Sequence, residues 1–233
     1  MLLTGKRLLN SRGKQMAAKK IAVIQSGCGV YDGSEIYEAT LTLLALDQAG
    51  VDYQCMAPNI PQMHVINHLT GEDSGESRNV LVEAARLARG NIIDLAEAVA
   101  ADYDALIIPG GFGAAKNLSD FAVNGTGMSI NKDVAGFVKA IHEQGKPVGL
   151  ECIAPAMAPL LFGEGVACTI GSDAETAAAI TAMGGVHKEC DVQKCYVDEA
   201  HKVVTTPAYM LAGSISEAAA GINELVKAVV ALA

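Results

Sequence analysis

The sequence predicts an α/β fold: a mostly parallel sheet, helices on both of its faces, and one small antiparallel hairpin. Three observations predict it. Short apolar runs alternate with stretches of helical spacing from residue 20 onward. Glycine or proline punctuates most of the joins between them. The 233 residues are 51% hydrophobic but only 4% aromatic, with 24 glycines and no tryptophan. The core must therefore be built from Ala, Val, Ile and Leu, which suits close packing of helix on sheet. A chain of this length can bury one sizeable core.

The first strand is the apolar run at 20–25 (KIAVIQ). It enters Ser26-Gly-Cys-Gly29, where glycine lets the backbone approach a neighbour closely. Ser34 is the expected N-cap of a helix reaching Gln48, with Ile36, Leu41, Leu44 and Ala45 apolar and Gly50 as its stop. The second strand is 52–57, closed by Pro58. Residues 58–78 form a long irregular loop, of the kind that often carries function. A helix is expected at 79–89, irregular chain or a short helix at 92–101, and a strand at 104–108 ended by Pro109-Gly-Gly-Phe-Gly113. Residues 114–128 read as a second long loop, and 131–143 as a helix stopped by Gly145. An apolar run from Pro147 reaches Cys152 and passes into a further helix. Then come a strand at 166–170, a helix at 173–183, a hairpin of 194–197 with 202–205, and a closing amphipathic helix at 214–232. In sheets of this kind, sites lie beyond the carboxyl ends of the strands. The loops at 26–38, 58–78, 109–117 and 152–155 are the candidates.

The formal net charge of −9 and the lack of a long basic run argue against nucleic acid as a partner. No apolar run reaches the length of a membrane span, so no membrane partner is expected. The six cysteines (28, 55, 152, 168, 190 and 195) form no C-x-x-C pair, and no metal site is expected. With no evident secretory signal, the thiols are expected free, in the cytoplasm. Residues 1–15 are basic and carry no acid, and MAAKKIAVIQ from Met16 reads as a natural start. The leader is expected to be a disordered, dispensable extension; the alternative is an organelle-targeting peptide, which has this composition.

Cys152 ends a strand at the point where the chain turns toward a helix, the order of events in a nucleophile elbow. The plainer reading is a buried structural thiol. A helix starting after Cys152 favours the thiolate through its dipole and free N–H groups. Gly110, Gly111 and Ile153 offer backbone N–H donors to an oxyanion. Glu38 and Glu35 are the candidate acid/base groups, with helix-dipole acids as the plainer reading of both. No histidine stands beside the thiol; His64, His68, His142, His187 and His201 read as structural or surface residues, and His64 with His68 lacks a third ligand for a metal. The glycines at 27, 29 and 33 do not match a dinucleotide fingerprint, and Gly110–Gly113 is not a phosphate loop.

The stretches SGCGVYDGSEIYEA (26–39), INHLTGE (66–72), ARG (88–90), ALIIPGGFGAAKNLSDFA (105–122), CIAPAM (152–157) and VVTTPAYML (203–211) closely resemble the enhancing-lycopene-biosynthesis (ElbB) family. That family lies in the PfpI-like branch of the class I glutamine-amidotransferase-like superfamily, and the resemblance covers nearly all of 16–233 as a single domain. It implies a three-layer flavodoxin-like sandwich with Cys152 as nucleophile, Glu38 as the facing acid, and Gly110 and Gly111 on the oxyanion side. It also implies a weak, cofactor-free glyoxalase activity turning glyoxal into glycolate, a proposed link to isoprenoid synthesis, and a homodimer. Glu35, Cys28 and Asn117 are supporting candidates. Ile153 stands where PfpI-like proteases carry histidine, which argues against hydrolysis of peptides or glutamine. Glu151 is unexpected: its charge near the sulfur would hold the thiol protonated, so strand alternation should turn it away to find another partner.

The expectation is therefore an enzyme acting on a small dicarbonyl or aldehyde, with no cofactor. The rival is a metabolite-binding or redox-sensing protein that uses the same pocket. A Cys152 pKa well above neutrality would count against both enzyme and sensor, leaving ligand binding or scaffolding.

Overall fold

The computed structural model describes residues 19–233; the leader at 1–15 lies outside them. Among the described residues nine strands form in chain order: β1 Lys20–Ile24, β2 Asp52–Ala57, β3 Ile92–Asp94, β4 Ala105–Ile108, β5 Val148–Glu151, β6 Ala167–Cys168, β7 Val186–His187, β8 Tyr196–Asp198 and β9 Val203–Thr206. Seven of them make one sheet in the order β3-β2-β1-β4-β5-β9-β8. Every pair in it is parallel except β8 with β9, the predicted hairpin. The four-residue runs of β4 and β5 are buried throughout, as expected for strands covered on both faces.

Helices α1 Ile36–Ala49 and α7 Ile215–Leu232 cover one face; α2 Val80–Leu87 flanks β2 and β3. Ile21, Val23 and Ile107 meet Leu46, Ile222 and Leu225 there. Gly149 admits α7: a side chain at this position would meet Leu225 and Val229 at 3.0 Å. The other face carries α3 Phe121–Asn124, α4 Lys132–Glu143, α5 Ala158–Phe162 and α6 Ala174–Ala182. There Ile24, Leu106, Ile108 and Leu150 pack on Phe137, Val138, Met157 and Leu161. The result is the flavodoxin-like three-layer sandwich, and its order reverses between β1 and β4, where the loops after the two strands diverge and open a crevice.

Several boundaries differ from the sequence reading. Glu35, not Ser34, caps α1: its Oε2 accepts the Glu38 N–H at 2.7 Å. Ser34 is buried instead, with its hydroxyl accepting the Ser26 N–H. The stretch at 92–101 contributes β3, whose three paired residues are too few to show a period. The expected loop at 114–128 is largely wound: a π-turn at Ala114–Leu118, then α3, then a 3₁₀ turn at Gly125–Gly127. The strand at 166–170 shrinks to β6, which pairs with β7 in a separate two-stranded sheet. Side chains replace a ladder there: Asp198 Oδ2 accepts the Ala167 N–H and Thr205 Oγ1 accepts the Thr169 N–H.

Candidate active site

Cys152 follows β5 directly. Its own N–H donates to the Thr206 carbonyl at the end of β9 (3.0 Å), and its φ is 59°. A non-glycine residue in the left-handed region is strained by roughly 1–3 kcal/mol and persists only where the surroundings hold it. This is the elbow that the residue order suggested. The helix that should follow is weaker than expected. A 3₁₀ turn, Ala154–Met157, comes first, and α5 has only five residues. Pro155 and Pro159 have no N–H, which shortens the donor row available to a thiolate.

The acid comes from α1. Glu38 is fully buried in the first turn, with Oε2 accepting the Gly110 N–H (3.0 Å) and Oε1 the Tyr209 N–H (3.0 Å). Its carboxyl also lies beside the Cys152 side chain, the two meeting at Gly110, and each shifts the other's ionisation. Gly110 locks this arrangement from both sides, since its carbonyl accepts the Glu35 N–H at 3.0 Å. A side chain at Gly110 would run into Cys152 and come within 2.6 Å of Glu38 Oε2, so only glycine lets acid and thiol meet. Ala208, at φ 43°, is a second strained residue and aims the Tyr209 N–H at Glu38.

Burial raises the Glu38 pKa from 4.5 to about 7, with the Glu35 charge adding to it; the Tyr209, Cys152 and Gly110 hydrogen bonds oppose the rise. Burial likewise pushes the Cys152 thiol well above its ordinary range, and the Glu38 charge pushes it further. The nearby backbone N–H groups of Gly111 and Ile153 work the other way, without winning. Burial and the Glu38 charge therefore outweigh the donors, and the balance favours a protonated sulfur. Of the two groups it is Glu38, not the sulfur, that ionises first, as pH rises through about 7.

Of the three predicted oxyanion donors, Gly111 and Ile153 lie near the sulfur. The Gly110 N–H is committed to Glu38 and serves the acid instead. Glu35 lines the cavity over Cys152, its pKa raised by burial, and it holds the Glu38 backbone. Cys28 does not reach the cavity; it lies half-buried toward α2, its thiol raised by burial and by the charge of Glu83. Asn117 is a clamp: its Nδ2 donates to the Ser26 and Asp32 carbonyls (2.9 and 2.8 Å), and its Oδ1 accepts the Met63 N–H (2.9 Å). Glu151 turns under α1, where Oε1 accepts the Thr42 hydroxyl at 2.7 Å, while Oε2 has no partner among the described residues. Burial, then the Glu38 charge, raises its pKa well up, so it stays neutral and puts no charge beside the sulfur. Sequence reasoning gave Thr42, Ala208 and Tyr209 no role; the PAY triplet at 207–209 was visible only as part of a familiar stretch.

A cavity of about 400 Å³ opens over Cys152, between Glu35, Phe112, Phe121, Ile153, Tyr209 and Met210. Among the described residues, no histidine lines it. His68 instead stacks on Tyr31 and accepts that residue's N–H, and His201 holds Asp198 at 2.8 Å. His142, expected in solvent, is half-buried against Phe162. Among the described residues, no three His, Cys, Asp or Glu side chains cluster as a metal site would need, and no helix is long and apolar enough to cross a membrane.

No family model matches the chain. It is 48% identical over 225 residues to the human glutamine amidotransferase-like class 1 domain-containing protein 3, mitochondrial, spanning 92% of this chain and 84% of that one. A solved structure from Ehrlichia chaffeensis, named as an isoprenoid biosynthesis protein with an amidotransferase-like domain, superposes with a TM-score of 0.85. It is 37% identical and covers 91% of this chain and 99% of its own. Glyoxalase III from Candida albicans superposes with a TM-score of 0.56 at 13% identity, over 91% of this chain and 97% of its own; that likeness concerns the fold alone.

Proposed function

The chain belongs to the family of the human glutamine amidotransferase-like class 1 domain-containing protein 3, a name that specifies an architecture and no reaction, and we propose the reaction from the site itself. It is a glyoxalase-type conversion of a small dicarbonyl, glyoxal to glycolate, at Cys152. One observation carries this reading. The buried Cys152 side chain and the Glu38 carboxyl meet beside Gly110, and that carboxyl, raised to about 7, suits proton transfer in both directions near neutral pH. A high thiol pKa counts against a nucleophile only when the thiol stands alone. Here Glu38 receives the proton as the sulfur attacks, so no free thiolate has to accumulate.

The steps balance without a further reagent. The sulfur bonds to one aldehyde carbon, the S–H proton passes to Glu38, and the oxyanion, beside the Gly111 and Ile153 N–H groups, takes that proton back from Glu38, which is left ionised. Glu38 then removes the C–H proton of the hemithioacetal to give an enediol and returns a proton to the neighbouring carbon. The product is a glycolyl thioester on Cys152. Water cleaves it, releasing glycolate and restoring the thiol. The absence of histidine from the cavity lining argues against the hydrolysis of glutamine or peptides, as Ile153 already suggested.

The test is glycolate formation from glyoxal by the wild type and by Cys152→Ala. Loss of at least about 100-fold is expected from removing the nucleophile; undiminished turnover in the variant would sink the mechanism. The protonated resting thiol disfavours the redox-sensor alternative. The finer placement in the ElbB family, and a link to isoprenoid metabolism, belong to the same proposal; the words naming the Ehrlichia chaffeensis structure support them.

The human relative is named as mitochondrial, which gives the cytoplasmic expectation no support and favours its alternative. Residues 1–15, basic and free of acid, then serve as a targeting peptide, and a fluorescent fusion of the full chain compared with one starting at Met16 tests it. A homodimer is also proposed, since α1 leaves Tyr37 and Leu44 exposed on its outer face. Light scattering tests that.

A further inference from the structure

Two thiols outside the catalytic cavity share one turn. After β7 the chain reverses at 191–194, where the Lys194 N–H donates to the Asp191 carbonyl at 3.0 Å and the Gln193 N–H to Asp191 Oδ1 at 2.8 Å. Cys190 enters this turn and Cys195 leaves it. A four-residue β-turn keeps its ends close, so the residues flanking it stand side by side. The Cys190 sulfur turns onto the Asp191 carbonyl at 3.6 Å, the same oxygen that closes the turn. Both thiols are free and half-buried. Burial first, then the charge of Cys190, pushes the Cys195 thiol up to about 11, so the two sulfurs lie in each other's field.

The turn is held from outside at two carbonyls. The Lys194 carbonyl accepts the Thr206 hydroxyl, at the end of β9, at 2.7 Å. The Val192 carbonyl lies against Gly221 of α7, so closely that a side chain there would collide with it. Cys195 packs inward on the apolar layer under α7, whereas Cys190 stands between the exposed Glu189 and Asp191. A thiol held in this way meets its neighbour at a far higher effective concentration than a dissolved thiol reaches. The other four cysteines lack such an arrangement. Cys55, Cys152 and Cys168 are buried, and the charged groups acting on Cys28 are Glu83, Arg86 and Asp32, with no second thiol among them.

We propose that Cys190 and Cys195 form a reversible disulfide, a redox-responsive modification site separate from the catalytic cysteine. The oxidant is a small-molecule disulfide of the glutathione class. Cys190 loses its proton, its sulfur attacks one sulfur of the oxidant, and one glutathione leaves as thiolate and takes up the proton. Cys195 loses its proton in turn, attacks the Cys190 sulfur and expels the second glutathione. Two protein thiols are oxidised, one small disulfide is reduced, and both protons end on the released glutathione. The ring spans only 190–195. So short a loop removes little entropy from the unfolded chain, which leaves the bond open to reduction by excess reduced glutathione. Burial raises both thiols, so the exchange is slow near neutrality and quickens as pH rises.

The experiment treats the full-length wild type with oxidised glutathione, blocks the remaining thiols with iodoacetamide and maps the tryptic peptides by mass. Trypsin cuts after Lys188, Lys194 and Lys202, so the disulfide joins peptide 189–194 to peptide 195–202. This linked pair should be the major oxidised product, from a chain that runs as a monomer on a non-reducing gel, with Cys152 free of glutathione. Excess reduced glutathione should return both peptides to the thiol form. In Cys195→Ser the reaction should stop at a glutathione adduct on Cys190. Thr206→Val removes the hydroxyl that holds the Lys194 carbonyl, and it should lower the ratio of linked pair to adduct at least about twofold, the low end of what one hydrogen bond holds in place. An unchanged ratio would overturn the claim that the fold holds the pair for closure. Absence of the linked pair at equilibrium, a lasting glutathione adduct on wild-type Cys190, a covalent dimer, or oxidation at Cys152 in its place would overturn the inference outright.

Discussion

Replacing Glu38 by glutamine should change the pH dependence of stability in a direction set by the burial of this side chain. The folded carboxyl keeps its proton up to about pH 7, whereas its ordinary value is 4.5. Between those values the native state holds a proton that the unfolded chain has lost. Stability from this group is therefore fully present below 4.5 and is lost as pH rises through about 7. The difference corresponds to about 3 kcal/mol at about 1.4 kcal/mol per pH unit. Glutamine cannot titrate, so Glu38→Gln lacks this loss. The variant has a cost of its own. An amide can still accept the Tyr209 N–H, but its NH₂ then opposes the Gly110 N–H that now donates to Oε2. At pH 5 the variant should be the less stable protein, by about 1–3 kcal/mol for the unsatisfied donor. By pH 8.5 the wild type should have lost ground by about 3 kcal/mol relative to it, closing or reversing the gap. Urea unfolding of both proteins at half-unit pH intervals measures the crossover. A gap that is flat from pH 5 to 8.5 would refute the claim that Glu38 titrates near neutrality inside the fold.

Two further substitutions probe the frame around this pair. Gly110→Ala should lower turnover of glyoxal by about 100-fold or more, since a displacement of about 1 Å at reacting groups can cost that much. It should also destabilise by about 1–3 kcal/mol through overpacking, because the new methyl group meets Cys152 and Glu38 Oε2. Wild-type rates in that variant would mean that Glu38 and Cys152 need not be held together. Asn117→Ala leaves the Ser26 and Asp32 carbonyls and the Met63 N–H without their partner, and denaturant unfolding should register a loss of about 1–3 kcal/mol. A stability unchanged within about 0.5 kcal/mol would show that the clamp carries no weight.

Much of this architecture is readable without coordinates because its core strands are short apolar runs bounded by glycine and proline. The runs behind β1, β2, β4 and β5 all became parallel neighbours in the sheet. β3 escaped because three residues at a sheet edge carry no period. The winding of 114–128 escaped because none of its three turns has a side-chain cap, and Asp120 instead accepts the Ser129 N–H and hydroxyl, which looks like loop chemistry in sequence. At the site, Cys152 and Glu38 were legible as residue types at the ends of a strand and the start of a helix. What joins them was not. The Gly110 and Tyr209 N–H groups carry no residue identity, and Tyr209 lies 171 positions from Glu38. The balance acting on the thiol was not legible, because the turn after Cys152 is proline-interrupted and because burial, the larger effect, has no sequence signature. Cys28 was drawn into the site by its glycine neighbours, yet the loop turns it toward Glu83 and Arg86.

The central claim is that Cys152 reacts only by passing its proton to Glu38. The pH dependence of Cys152 alkylation by iodoacetamide, followed by peptide mass in the wild type and in Glu38→Gln, tests it most directly. The account predicts a wild-type rate that rises through pH 7 as Glu38 ionises and then levels. In Glu38→Gln, the same cysteine should stay nearly inert until pH passes 9, because burial alone still keeps its thiol protonated. Superimposable profiles for the two proteins, or a wild-type inflection at about 8.5 as for a free thiol, would contradict it.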